Sequence, residues 1–341
     1  MAQLNKVEEI TSVWNALASQ SQKTEGWMTL PVATGMPCLL KAGRHSPGNE
    51  EAILAGFKAT ALPHKEQLPE GKGFSVRIVS LGQEDDGRSW IALQRQSAGS
   101  LEMFTMMAAD IVTTLESMSS ATESQVLCTF IARIRAWQKF MYSGKAGVLG
   151  FESEVGLFGE LSILEGILNA GISAERAVNS WVGPCDGLQD FTIGTGALEV
   201  KTTTAVGHFP AWISSLEQLD DSLLHPLFLA AVRICQADSG VSLPDKIEKL
   251  REKIRTTDLM ALLEFDLRLL QAGYFNSFSE SYVRRFEHVG ARIIPVNDNT
   301  PRLVRATVPS AILRAKYEMD IESISADDLS LEQALHSLGA Y

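Results

Sequence analysis

The sequence is poor in cysteine and has no close pair: Cys38, Cys128, Cys185 and Cys235 stand far apart, with no C-x-x-C. That spacing excludes a disulfide framework and a zinc ribbon, and such isolated cysteines read as small buried apolar residues. The six histidines show no H-E-x-x-H or similar metal spacing. No apolar run approaches the roughly 18 residues of a membrane span, so no transmembrane helix is expected. Residues 1–14 carry mixed charge and no apolar run, unlike a secretory signal, and the expected location is the cytoplasm. There is no internal repeat and no low-complexity tract. Positive charge is also scarce: 30 Lys and Arg against 41 Asp and Glu leave a net charge of −11. This argues against a chain that coats nucleic acid through bulk electrostatics, and leaves a local basic groove, a metal-bridged contact or a basic partner.

What is present is an ordinary globular balance, 45% apolar and 21% charged over 341 residues, enough for a sizeable core and for two domains. Apolar periodicity predicts helices over 7–18, 101–117 and 123–141, with strands over 74–81 and 89–95. Three glycines within 143–150 mark a boundary. It separates an N-terminal α+β domain, 1–147, from residues 148–341. The second part reads as helix (152–170), strands (177–182, 190–194, 197–203), helix (211–222) and strand (226–234). A loop near 238–244, helices over 245–256 and 258–272, and strands near 290–296, 302–308 and 314–321 follow.

The most informative stretch is 183–204, GPCDGLQDFTIGTGALEVKTTT. It reads as a hairpin with a two-residue turn at Thr195-Gly196, which sets Thr192 opposite Glu199 and Asp190 opposite Lys201. Side chains alternate along a strand, so Phe191, Ile193, Leu198 and Val200 share an apolar face. Asp190, Thr192, Glu199 and Lys201 share the other, and a one-residue slip would mix the two sets. Two carboxylates with a backbone carbonyl such as that of Val200 make an oxygen site for Mg²⁺. A metal there polarises a phosphoryl oxygen and activates water, and Lys201 orients that water or neutralises transition-state charge. The alternative is a solvated face with a cross-strand salt bridge. On the preceding helix, EVGLFGELSILEGILN, Glu160 falls on the inward stripe and needs a partner, either a metal site, a lysine, or a structural Arg or N–H.

A helix with Glu, then D…E-x-K on a hairpin, then helix and strand, resembles the PD-(D/E)XK nuclease superfamily. The resemblance implies an α+β chain: a restriction-endonuclease-like αβββαβ core with a separate N-terminal α+β domain and a C-terminal α/β extension. It assigns Glu160 as the first-helix acid, Asp190 as the motif Asp, and Glu199 and Lys201 as the (D/E)-x-K pair. The chain is similar, more closely, to a bacterial group of PD-(D/E)XK motif proteins linked to restriction and phage-defence gene neighbourhoods. The shared phrases are G-L-F-G-E-L (156–161), W-x-G-P (181–184), D-F (190–191), E-V-K-T-T (199–203) and I-S-S-L-E-Q-L (213–219). Weaker similarity covers 123–141 and the C-terminal strands. Gln189 stands where the superfamily name has Pro. Asp186 is a second candidate for the motif Asp, and Asp190 is preferred for its spacing to Glu199. In several nuclease branches a polar residue, often Gln, projects from the next helix, which assigns Gln218 to the site; a surface Gln is the equal alternative. His208 reads as a loop histidine. The cations of 246–255 read as a solvated helix face, and Arg284-Arg285 with Arg302 and Arg305 are better candidates for a basic patch.

The resulting expectation is a Mg²⁺-dependent DNA endonuclease of a restriction or phage-defence system, with Mn²⁺ as a substitute. Asp190, Glu199 and the Val200 carbonyl hold the metal, Glu160 supports it or a second ion, and Lys201 positions water. DNA, protein partners from a defence operon and a second copy of the chain are the expected partners, with no membrane. The rival reading is a catalytically silent DNA-recognition or scaffold subunit, which the net charge favours and the intact acid–lysine set disfavours. The same chemistry would serve RNA.

Overall fold

The computed structural model describes residues 6–19, 25–71, 73–142, 148–185, 187–222 and 224–341. The chain divides into two compact units, Met1–Ala146 and Gly147–Tyr341. Among the described residues no helix is long and apolar enough to cross a membrane.

In the first unit, α1 (Lys6–Ala18), α2 (Leu101–Glu116) and α3 (Glu123–Tyr142) accompany an antiparallel sheet. Its strands are β1 (Gly26–Ala33), β2 (Leu39–Ser46), β3 (Glu51–Phe57), β4 (Glu70–Gly71), β5 (Phe74–Val79) and β6 (Ser89–Arg95), ordered β1-β2-β3-β6-β5-β4. The buried Asp110 of α2 accepts from Arg133 at 2.9 and 2.6 Å and from Trp137 at 2.8 Å, locking α3 to α2. Removing one member of such a buried charged pair strands the other, which is far costlier than losing a surface pair.

The second unit is built on a mixed sheet ordered β11-β10-β8-β7. Its strands are β7 (Phe191–Ile193), β8 (Gly196–Thr203), β10 (Leu227–Ser242) and β11 (Arg285–Val296), with β8 and β10 parallel. Period-two alternation sorts their side chains between two cores. Leu198, Val200, Phe228, Ala230 and Val232 pack with helix α4 (Phe151–Asn169), together with residues of α5 (Ala174–Ser180), α6 (Leu243–Arg255), α7 (Leu259–Gln271) and α8 (Leu331–Ser337). Ala197, Leu229 and Ala231 pack instead with the ribbon of β9 (Pro210–Ile213) and β12 (Tyr317–Asp320). The α+β architecture is the one that the sequence implies.

Several elements differ from expectation. Residues 174–180, within and before a predicted strand, form α5. Ser173 caps the helix by accepting from Arg176 N–H, and Ala177 and Trp181 bury one turn apart, a spacing the β-branched Val178 and Val182 disguised. The predicted helix over 211–222 is strand β9 followed by bends. Ala211 and Ile213 point inward and Trp212 outward, a period of two. Beyond them, the Gln218 side chain and the Ser215 hydroxyl accept from backbone N–H groups, the local competition that disfavours helix. β10 runs on to Ser242 through a break in register between Gln236 and Val241, where a loop was expected. Residues 302–308 form a turn closed by Thr307 N–H on Val304 O (2.9 Å) rather than a strand. The four cysteines form no disulfide, and only Cys38 is buried, against the expectation that all are core residues.

Candidate metal-dependent active site

β7 and β8 form a hairpin pairing Phe191↔Leu198, Thr192↔Ala197 and Ile193↔Gly196. The turn is Gly194-Thr195, one residue earlier than expected, so Thr192 faces Ala197 rather than Glu199. Gly194 takes a φ of +56°, and a Cβ there would stand 1.8 Å from Leu338 O, which explains the choice of glycine. The pairing shift is two residues, an even number, so both faces keep the expected sets.

Asp190 immediately precedes β7. Its Oδ2 accepts the Val200 N–H at 2.7 Å. Its backbone carbonyl accepts from the N–H groups of Val182 (2.8 Å) and Gly183 (3.0 Å), so the W-x-G-P segment wraps it. A Cβ on Gly183 would lie 2.8 Å from Asp190 Oδ1. In a strand the N–H and C=O of one residue face the same edge. The Val200 carbonyl therefore faces the edge of β8 beyond the first β7 pair, toward Asp190. Two residues apart on β8, Glu199 Oε1 and Lys201 Nζ pair at 2.7 Å, and Glu199 is only 2% exposed. Glu160 enters from α4, and its Oε2 accepts from Trp181 Nε1 at 2.7 Å. The helix reaches β8 this closely because residue 159 is glycine: a Cβ there would stand 1.8 Å from Thr202 Oγ1.

Burial raises the pKa of all three carboxyls. Glu199 is pushed up to about 8 by burial and then by the Asp190 charge, against the pull of Lys201. Glu160 is likewise pushed up to about 8 by burial and by Asp190, with the Trp181 hydrogen bond opposing. Asp190 is raised by burial, and the Val200 N–H and Lys201 offset part of it. Fully ionised, three carboxylates share one ammonium in a largely dry setting. Among the described residues no three His, Cys, Asp or Glu side chains group to hold a metal by themselves. The oxygen donors that could hold a cation here are the carboxylates of Asp190 and Glu199 with the Val200 carbonyl. Acids that need a further cation before they ionise together, all-oxygen donors and the Val200 carbonyl edge fit a hard divalent cation that keeps waters or phosphate oxygens as its remaining ligands.

The fold brings Glu160, Asp190, Glu199, Val200 and Lys201 together. Gln218 lies in the bends after β9, where its Oε1 accepts from Ser214 N–H at 2.7 Å, and it makes no hydrogen bond to these five residues among the described residues. His208 is an exposed loop residue, 3.9 Å from Asp320. Asp186 lies outside the described residues. The cations expected to form a basic patch are paired within the unit. Arg284 meets the buried Glu154, Arg285 bonds Gly240 O at 2.7 Å, Arg302 pairs with Asp221 at 2.9 Å and Arg305 with Glu217 at 3.2 Å. On α6, Lys246 is buried against Glu165 (3.1 Å) and Arg251 meets Asp266 (2.7 Å), so this is not simply a solvated face. Sequence reasoning missed the part played by Trp181, although the W-x-G-P phrase flagged it. It also missed Tyr317, which is close enough to feel the Lys201 charge while its hydroxyl accepts from Leu303 N–H at 3.2 Å.

No curated protein and no solved structure matches the chain. One family model does, described as "Putative PD-(D/E)XK family member (DUF4420)", and it covers residues 10–322, both the hairpin and the Glu160 helix included. The chain belongs to this PD-(D/E)XK family.

Proposed function

We propose that this protein is a metal-dependent DNA endonuclease of a bacterial restriction or phage-defence system. The observation that supports it most is the gathering of Asp190, Glu199 and Lys201 around the Val200 edge of one strand, with burial holding the carboxyls short of charge balance. Asp190, Glu199 and the Val200 carbonyl would hold Mg²⁺, with Mn²⁺ as a substitute. When bound, the ion supplies Lewis-acid polarisation of the phosphodiester and acidification of a water. Lys201, held by Glu199, orients the attacking water through its remaining N–H donors. Glu160, fixed by Trp181, would support the bound ion or a second one. DNA is favoured over RNA by the resemblance to defence-linked proteins. A net charge of −11 supports partner subunits that supply affinity for the duplex.

That same charge favours the second reading, a non-cleaving recognition or scaffold subunit. Thermal unfolding with and without divalent metal separates the two. A ligand that binds only the folded state at a hundredfold over its Kd adds about 2.7 kcal/mol. The nuclease reading expects Mg²⁺ or Mn²⁺ to raise the Tm of wild type and not of Asp190→Asn or Glu199→Gln. A scaffold predicts no metal-induced rise in any of the three.

A further inference from the structure

Residues 214–217 of the I-S-S-L-E-Q-L phrase line a cleft. The cleft, of about 320 Å³, is bounded by Ser214, Ser215, Leu216, Glu217, Arg305 and Arg314. Its one acid is already engaged: Glu217 Oε1 accepts from Arg305 Nε at 3.2 Å, and Arg305 also donates to Ile312 O at 3.3 Å. Arg314 is exposed and makes no hydrogen bond or ion pair among the described residues. The Ser215 Oγ accepts from Glu217 N–H at 3.3 Å, which leaves its own proton to donate. Between Asp298 and Glu318 the sequence carries Arg302, Arg305, Arg314 and Lys316 and no acid, in a protein of net charge −11.

The cleft is also tied to the candidate metal site. Gln189, the residue immediately before Asp190, is buried, and its Nε2 donates to Glu217 O at 3.1 Å and to Gln218 O at 3.5 Å. The loop that forms the cleft wall is thus pinned to the backbone that carries Asp190. Gln189 Oε1 is buried with no partner among the described residues, so the amide is retained at a cost that the pinning contact offsets.

We propose that this cleft is a phosphate subsite for the nucleic-acid strand, in which Arg314 takes a backbone phosphodiester and the Ser214 and Ser215 hydroxyls add donors. A planar guanidinium with all its donors free suits a phosphate oxygen pair better than any other cation in the cleft. The inference rests on the nuclease reading for its ligand class, and it concerns binding rather than cleavage.

The test is fluorescence anisotropy of labelled duplex and single-stranded oligonucleotides, titrated with salt, in EDTA. Wild type, Arg314→Ala and a control, Arg176→Ala on α5, are compared. Arg314 has no internal partner to lose, so its variant should fold normally. The expected result is weaker binding by Arg314→Ala with a salt slope lower by about 1, the signature of one lost phosphate contact. Arg176→Ala should leave the slope unchanged. Equal binding and slope for wild type and Arg314→Ala would overturn the proposal. So would binding by wild type to neither oligonucleotide at low salt. Because EDTA prevents cleavage, this outcome is independent of whether the metal site proves catalytic.

Discussion

Glu199 is almost fully buried beside a lysine and a second carboxylate, and its proton affinity follows from that company. Its pKa near 8, and that of Glu160, mean that the folded protein keeps protons which the unfolded chain has released above the ordinary glutamate range. Where the folded state binds more protons, stability falls as pH rises. The metal-free protein should therefore lose Tm steadily from about pH 5 to about pH 8, and Glu199→Gln should flatten that decline, as read by thermal unfolding in EDTA. A Tm that rises or stays level over this window in wild type would contradict the assigned burial. The acids and the lysine were legible in the sequence because strand alternation alone puts Asp190, Glu199 and Lys201 on one face. The hydrogen bonds from Trp181 to Glu160 and from Gln189 to the 217–218 carbonyls were not legible. They join residues 21 and 28 or more positions apart through tertiary packing, which periodicity does not encode.

At the scale of elements, the hairpin and α4 carry the site, and their contact is set by one glycine. Gly159 lies where any Cβ would run into Thr202 on β8, while Gly156, one turn earlier, faces open space. Gly159→Ala should cost about 1–3 kcal/mol by overpacking. Gly156→Ala should be neutral or stabilising by up to about 1 kcal/mol through helix propensity. Urea unfolding of the two variants checks this difference, and equal effects would show that α4 does not press on β8 at residue 159. The hairpin was readable despite a misplaced turn, because a register error of two residues preserves the faces. The elements misread were those in which local cues conflict. In 174–182 a serine cap overrides β-branched residues, and in 210–222 a single alternation, Ala211-Trp212-Ile213, precedes side chains that bond their own backbone. α8 went unread because its seven residues give too short a pattern, although Ser330 and Gln333 form a capping box.

For the molecule as a whole, net charge and family membership pull in different directions. A chain of −11 does not attract a polyanion at long range, and most of the cations named above in the second unit are paired with acids. On the nuclease reading, affinity would come from neutralisation at the metal, from a guanidinium such as that of Arg314, or from a partner. The decisive measurement is cleavage of supercoiled and linear DNA by wild type, Lys201→Ala and Glu199→Ala in Mg²⁺, Mn²⁺ or EDTA. An active site at the hairpin requires cleavage by wild type that EDTA abolishes and that either substitution lowers by about a hundredfold or more. Metal-dependent cleavage that survives both substitutions would place the chemistry elsewhere in the chain and contradict the site.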